Sequence, residues 1–376
     1  MREIIKYSKR IVIKVGTGLL AENQGTVNHD TIGQIVSQIA TLIHSGREIL
    51  LVSSGAIGAG FQFLNKNKRP TTLPLLQASA SIGQTKLMRI YDDLFEKEGI
   101  NVAQILLTKD DLKIRKRFLN VKNTLNTLLQ HNILPIINEN DSVSVDEIRF
   151  GDNDLLSALV ANVINSDILI NLTNVDGVLK KSGDGKSLGK EVISEVKGVP
   201  KSIFAHTTTH KSALGSGGIE SKLQAAKILT TAGEFMLIAN GHEKDVILKA
   251  LNGERIGTLF IPQKNKMESR KRWIAFFHQT KGTIFVDDGA KDALLNQGKS
   301  LLPKGILSID GIFKEGDIVL IFNENVGELG KGLVNFSSEE LGKIKSEHSN
   351  KIEKILGYKS YDEAIHRNNM VITYSI

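Results

Sequence analysis

The first two-thirds of the chain alternates short β-branched runs with segments of helical period, and this alternation constrains the fold more than any other feature. Ile11-Val12-Ile13-Lys14-Val15 is brief, apolar but for one lysine, and followed at once by Gly16-Thr17-Gly18. It reads as a buried strand. Ile32, Ile35, Val36, Ile39, Leu42 and Ile43 then share one helical face, with Asn28 or Asp30 able to cap it and Gly46 able to end it. Further strands are expected at Glu48 to Ser53, Ile168 to Leu172 and Phe235 to Ala239, and a helix from Asp154 to Asn165. Ile133 to Ile137 is also strand-like, although Pro135 favours a strand end or an irregular position. Such a succession predicts an α/β fold, a mainly parallel sheet sandwiched by helices. Ligands in such sheets sit at the carboxyl ends of strands, so functional residues should follow the apolar runs.

The 376 residues exceed one ordinary core, which favours two domains. Beyond Pro262 the texture changes: Gln263 to Arg272 is polar and basic, and short strand-like pieces follow at Thr283 to Val286 and Asp317 to Ile321. We expect an α/β domain over 1–262, a linker over 263–277, a small β-rich domain over 278–356 and a tail over 357–376. The formal net charge of +7 is compatible with a polyanionic partner and equally with ordinary surface lysine. The absence of cysteine excludes disulfides and thiolate metal sites. Met1 to Arg10 lacks a signal-peptide pattern, and no apolar run approaches a membrane span of roughly 18 residues, so a cytoplasmic protein is expected.

Several stretches carry chemistry. Lys14 with Gly16-Thr17-Gly18 offers a charge and a close-approaching backbone to a phosphate, and also fits a snorkelling lysine before a turn. Ser53-Ser54-Gly55-Ala56 opens a helix whose free N–H groups can hold an anion, or whose small residues simply allow close packing. Asn138-Glu139-Asn140-Asp141 and Gly151-Asp152-Asn153-Asp154 supply acids and amides suited to an ammonium group, while turns and helix caps explain them equally well. Ser216-Gly217-Gly218-Ile219-Glu220-Ser221-Lys222 is a second glycine loop with a lysine, spaced differently from the Walker A pattern. His206 and His210 stand four apart, but three threonines between them make a poor helix for paired zinc ligands.

Taken in order, these stretches resemble the amino-acid kinase family, and Arg117-Phe118-Leu119-Asn120, Arg270-Lys271-Arg272-Trp273 and Leu301-Leu302-Pro303-Lys304-Gly305 extend the likeness along nearly the whole chain. Among its members, those that act on glutamate are the most similar. The resemblance implies an α/β sandwich followed by a PUA domain, a small β-barrel otherwise found in RNA-modifying proteins. It implies transfer of the γ-phosphate of ATP, with Mg²⁺, to the side-chain carboxylate of L-glutamate, the first step of proline biosynthesis. Lys14 and Lys222 would contact the transferring phosphate and Asp154 would orient them. Ser54, Asp141 and Asn153 would bind glutamate, with Gly55, Ala56, Asn138 and Asp152 nearby. Thr173, Asn174 and the loop Ser216, Gly217, Gly218, Ile219, Glu220, Ser221 and Lys222 would hold the nucleotide. The family pattern usually has Thr-Asp where this chain has Thr173-Asn174, and Ser216 and Glu220 also depart from it. The resemblance further implies proline as a feedback inhibitor and a glutamyl-phosphate reductase as partner; a homo-oligomer is expected, and the PUA-like domain is read as structural or regulatory, with RNA contact as its alternative. No metal ligand is singled out.

The chemistry is coherent with these residues. A glutamate side chain is already ionised at pH 7, its reference pKa being about 4.3, so the nucleophile requires no general base. The difficulty is bringing a carboxylate to a triphosphate, which positioned cations relieve. Rival readings are kinases of aspartate, N-acetylglutamate or carbamate, and an RNA-binding protein acting through its tail.

Overall fold

The computed structural model describes residues 1–20, 27–64, 70–143, 153–181, 188–204, 218–262, 266–276 and 280–374. Among the sequence-derived candidates, Asp152, Ser216, Gly217, His206 and His210 lie outside these residues. The chain divides into two units, Met1–Lys266 and Met267–Ile376.

The first unit is built on β1 (Arg10–Val15), β2 (Glu48–Ser53), β3 (Val102–Leu107), β4 (Leu134–Glu139), β5 (Ile168–Thr173), the short strands β6 (Leu179–Lys181), β7 (Leu188–Val192) and β8 (Glu195–Lys197), β9 (Phe235–Asn240) and β10 (Thr258–Ile261). Strands β6 and β7 pair with each other as an antiparallel ladder. The other eight form one sheet in the order β3-β4-β2-β1-β5-β9-β10-β8. All neighbours run parallel except β9 and β10. From β1 the chain adds strands on one side through β2 and then on the other through β5, so the site-bearing turns gather where the order reverses.

Side chains alternate across β1. Ile11, Ile13 and Val15 join a core with Ile35 and Ile39 of the helix His29–His44 and with Leu87 and Tyr91 of the helix Leu73–Lys97. Val12 and Lys14 therefore point to the opposite face, toward the helix Asn153–Ile164. Asn28 is the cap of the His29–His44 helix, its Oδ1 accepting from the Thr31 N–H at 2.9 Å. Gly46 leaves that helix at φ +82°, a conformation open to glycine. Pro135 is the second residue of β4, and pairing of β4 with β2 begins only at Ile136. The missing N–H thus falls at the start of the strand, where it disturbs no bond to β2.

At the far edge of the sheet, buried Arg2 closes the chain on itself. Its guanidinium donates to the carbonyls of Glu254 (2.9 Å), Ile256 (2.6 Å), Ser194 (2.8 Å) and Gly257 (2.9 Å). No helix among the described residues is long and apolar enough to cross a membrane.

The second unit carries β11 (Gly282–Val286), β12 (Ile306–Gly311), β13 (Ile318–Asn323), β14 (Gly327–Leu333) and β15 (Met370–Ile372), paired in the order β12-β11-β13-β14-β15. Its own core includes Ile284, Phe313, Val319, Ile321, Leu329, Phe336 and Leu341. Within the stretch read as linker lies the helix Ser269–Phe276, in which Arg272, Ile274 and Ala275 are buried and Arg272 Nε donates to Met267 O at 2.8 Å.

Candidate active site

Lys14 reaches the site because β1 alternates, and its register partner on β5 is Asn171. Both face the first turn of the helix Asn153–Ile164. There the fully buried Asp154 carboxylate accepts from donors on three elements. Lys14 Nζ (2.5 Å) and Asn171 Nδ2 (2.8 Å) engage Oδ1, while Lys222 Nζ (3.0 Å) and Ser221 Oγ (2.8 Å) engage Oδ2. Ser221 and Lys222 arrive on the first turn of the helix Ile219–Ala232, whose start, Gly218, has no side-chain cap. Burial alone pushes the Asp154 carboxyl up. The charges of Lys14 and Lys222, with hydrogen bonds from Lys14 and Asn171, outweigh burial and hold it well below the ordinary carboxylate range. Two ammonium groups thus converge on this one carboxylate. The Gly16 backbone passes beside one of them: a Cβ added there would lie 3.5 Å from Lys14 Nζ.

A chain of buried amides adjoins this cluster. Asn153 Nδ2 donates to Ser53 O (3.0 Å), Ser54 Oγ (2.9 Å) and Asn138 Oδ1 (2.9 Å). Two hydrogens serve three acceptors, so the donation is shared. Asn138 Oδ1 also accepts from the Glu139 N–H at 2.9 Å, and Asn138 Nδ2 donates to Gln84 Oε1 at 2.7 Å. Beneath the turn, Ser53 Oγ and Tyr91 OH are 3.0 Å apart. Burial pushes the Tyr91 phenol up to about 12, against the smaller lowering by its bond to Ser53, so it stays protonated.

The turn itself is set by close backbone packing. Gly55 adopts φ +99° and leads into the short helix Ala56–Gly60. A Cβ on Gly60 would lie 1.9 Å from Ser79 O, and one on Gly83 would lie 1.8 Å from Ala56 O. Only glycine lets the two helices approach so closely. Gly83 therefore places the Ser54-Gly55-Ala56 turn, and Gln84 beside it reaches into the amide chain.

Residues 9–240 match the Amino acid kinase family, and residues 282–356 match the PUA domain. The chain belongs to the amino-acid kinase family. It is 46% identical over 363 residues to the Glutamate 5-kinase of Thermoanaerobacter sp. (strain X514), covering 96% of this chain and 97% of that one. It is 42% identical over 370 residues to the Glutamate 5-kinase of Syntrophus aciditrophicus (strain SB), covering 98% and 96%. With the Glutamate 5-kinase of Burkholderia thailandensis the identity is 43% over 372 residues, covering 99% and 100%.

The sandwich characteristic of this amino-acid kinase brings most of the expected residues together. Lys14, Asp154, Ser221 and Lys222 form one cluster, and Ser54, Asn138 and Asn153 form its neighbour. Gly55 and Ala56 continue from Ser54 at the turn. Asp141 is half-buried in the turn after β4, where Asn140 N–H donates to Leu107 O at 2.8 Å. Thr173 ends β5 buried, and Asn174 is exposed, its Nδ2 3.6 Å from where a Cβ on Gly18 would lie. Gly218 and Glu220 are exposed and Ile219 is half-buried. Asp154 does not serve as a simple helix cap, because its carboxylate is spent on the lysines. Asn171, Gln84 and Tyr91 went unread in the sequence. Asn171 alone left a signal, a polar residue inside an otherwise apolar strand. Among the described residues no group of three His, Cys, Asp or Glu side chains is placed to hold a metal ion.

Proposed function

We propose that the chain transfers the γ-phosphoryl group of ATP to the γ-carboxylate of L-glutamate, giving L-glutamyl 5-phosphate and ADP, the first step of proline biosynthesis. The observation that carries this reading is the adjacency of Asn153 and Asp154. The first belongs to the amide chain with Ser54 and Asn138, and the second to the cation cluster with Lys14 and Lys222. An amino-acid pocket and a phosphate pocket thus meet at one peptide unit.

The glutamate carboxylate oxygen attacks the γ-phosphorus, and the bond from that phosphorus to the β,γ-bridging oxygen breaks. The acceptor arrives ionised, so no base is needed. Lys14 and Lys222 stabilise charge on the transferring group, and Asp154 fixes where their ammonium groups point. Ser54, Asn138 and Asn153 orient the substrate, and Asp141 accepts from its α-ammonium group. The start of the helix Ile219–Ala232, with Thr173 and Asn174, receives the nucleotide. The paired ammonium groups of Lys14 and Lys222 suit a triphosphate. Mg²⁺, when bound, adds charge neutralisation on the phosphates and takes most of its ligands from them and from water. The same reading carries a cytoplasmic homo-oligomer, proline as an inhibitor at the glutamate pocket, and a reductase that consumes the acyl phosphate.

ADP release measured with glutamate, aspartate and N-acetylglutamate tests the assignment. Turnover should require glutamate; turnover with aspartate in its place refutes it. Lys222→Ala should lower kcat far more than it weakens glutamate binding, whereas Asn153→Ala should chiefly raise the KM for glutamate. Unchanged kinetics in both variants would refute the residue roles.

A further inference from the structure

We infer that Asn171 is a positioning residue for phosphoryl transfer, fixing the Asp154 carboxylate between the two lysines. The inference rests on the kinase reading above and concerns a residue outside the set that reading uses.

Asn171 lies in β5 among Leu169, Ile170 and Leu172, all fully buried, and is itself 0% exposed. A lone amide in a buried central strand is costly unless its polar atoms are used. One is used: Nδ2 donates to Asp154 Oδ1 at 2.8 Å. The other, Oδ1, is buried with no hydrogen-bond partner among the described residues. Turning the amide over would set oxygen against a carboxylate oxygen, so the observed orientation is the one the carboxylate dictates. The strand therefore tolerates a stranded carbonyl to keep one N–H on Asp154.

The geometry gives that N–H a particular task. Asn171 and Lys14 are register partners and converge on the same oxygen. Ser221 and Lys222 converge on the other. Each carboxylate oxygen thus receives a cation and a neutral donor. The neutral pair defines the carboxylate plane from the sheet and from the helix, so the ammonium groups are aimed by it and do not drag it toward either lysine. Without Asn171, Oδ1 loses the donor that comes from the sheet. The carboxylate could then follow that ammonium, and Lys14 would be held less ready for a phosphate oxygen.

Asn171→Leu keeps the number of side-chain heavy atoms and removes the donor together with the stranded carbonyl. We expect kcat to fall about tenfold, equivalent to roughly 1.4 kcal/mol. The KM for glutamate should stay within about twofold and the melting temperature should not fall. A purely structural role gives the opposite pattern, lower melting temperature with kcat unchanged, and overturns the inference. Asn171→Asp supplies a second test that does not depend on the leucine variant folding. Among the described residues the charged groups at position 171 are Asp154, which it contacts, and its register partner Lys14, with Lys222 on the far oxygen of Asp154, and the β9 partner is apolar Ile238. Beside these ammonium groups an aspartate there stays ionised, supplies no N–H and competes with Asp154 for Lys14. Its kcat should therefore fall at least as far as that of the leucine variant, with the KM for glutamate within about twofold. A kcat equal to that of the parent overturns the inference. Absence of glutamate turnover by the unaltered chain would instead reject the kinase reading, so the two failures are told apart.

Discussion

Replacing Asp154 by asparagine tests the electrostatic core of the site directly. Asn is nearly the same shape, so packing around position 154 is conserved while the charge is lost. The two buried ammonium groups then lose the carboxylate they share. Removing one member of a buried ion pair destabilises by roughly 3–5 kcal/mol. For a unit of this size that lowers the melting temperature by about 10 °C. The triphosphate should return much of it, because it supplies the missing negative charge, so ATP should raise the melting temperature of Asp154→Asn more than that of the parent. Differential scanning fluorimetry with and without nucleotide reads both effects, and steady-state kinetics should show a large fall in kcat with nucleotide KM no higher. The pH dependence has a fixed sign. The folded carboxyl is held below its unfolded value of about 3.9, so its contribution is complete above that value and is lost as pH falls below it. The parent should lose its stability advantage over Asp154→Asn in acid, below about pH 4. Equal stability of the two proteins at neutral pH, or an advantage for the parent that grows in acid, would refute the account of Asp154 as the buried counter-ion.

Gly83→Ala should act through the turn it supports. The added Cβ would stand 1.8 Å from Ala56 O, so the Ala56–Gly60 helix must move; we expect a cost of about 3 kcal/mol in chemical denaturation and a raised glutamate KM. Tyr91→Phe removes the contact with Ser53 Oγ, leaving that hydroxyl its 3.2 Å bond to Ser54 O, and should cost about 1 kcal/mol in stability with kcat little changed. Arg2→Met removes the guanidinium from four carbonyls at the sheet edge, of which Ser194 O keeps the Leu259 N–H and Glu254 O keeps the Ile256 N–H. It should destabilise by about 3 kcal/mol in urea denaturation while glutamate turnover per folded molecule stays unaltered.

Lys14 and the strand around it were legible because a charge inside a β-branched run before glycine has few explanations. Strand β2 and the ends of β5 and β9 were legible for the same reason of apolar run and polar stop. Strand β3 was not, since it lies at the sheet edge, where half-exposed residues such as Leu106 blur the pattern. The antiparallel β10 is four residues long and offers too little periodicity to read. The helix Ser269–Phe276 hid within a basic stretch because Arg272 is buried by bonding to a backbone carbonyl, which composition does not announce. At the site, the residues alone made Asp154 one of several cap or turn acids, and only the family resemblance tied it to the lysines. Its meaning depends on Lys14, 140 positions away, and on Lys222, 68 positions away. Gln84 and Tyr91 were hidden similarly, as single polar groups on a long helix whose partners come from β2 and β4.

Asn153 and Asp154 also limit how such an enzyme can change. Consecutive Cα atoms are about 3.8 Å apart across a trans peptide, so the acceptor and donor pockets share a ruler of fixed length. A shift of the helix Asn153–Ile164 would move both pockets at once and spoil alignment on one side. On the proposed reading, altered acceptor preference comes from side chains on the other walls, Ser54, Asn138 and the turn holding Asp141, while this peptide stays where it is. The phosphoryl-transfer apparatus is thereby insulated from selection on the amino acid it serves.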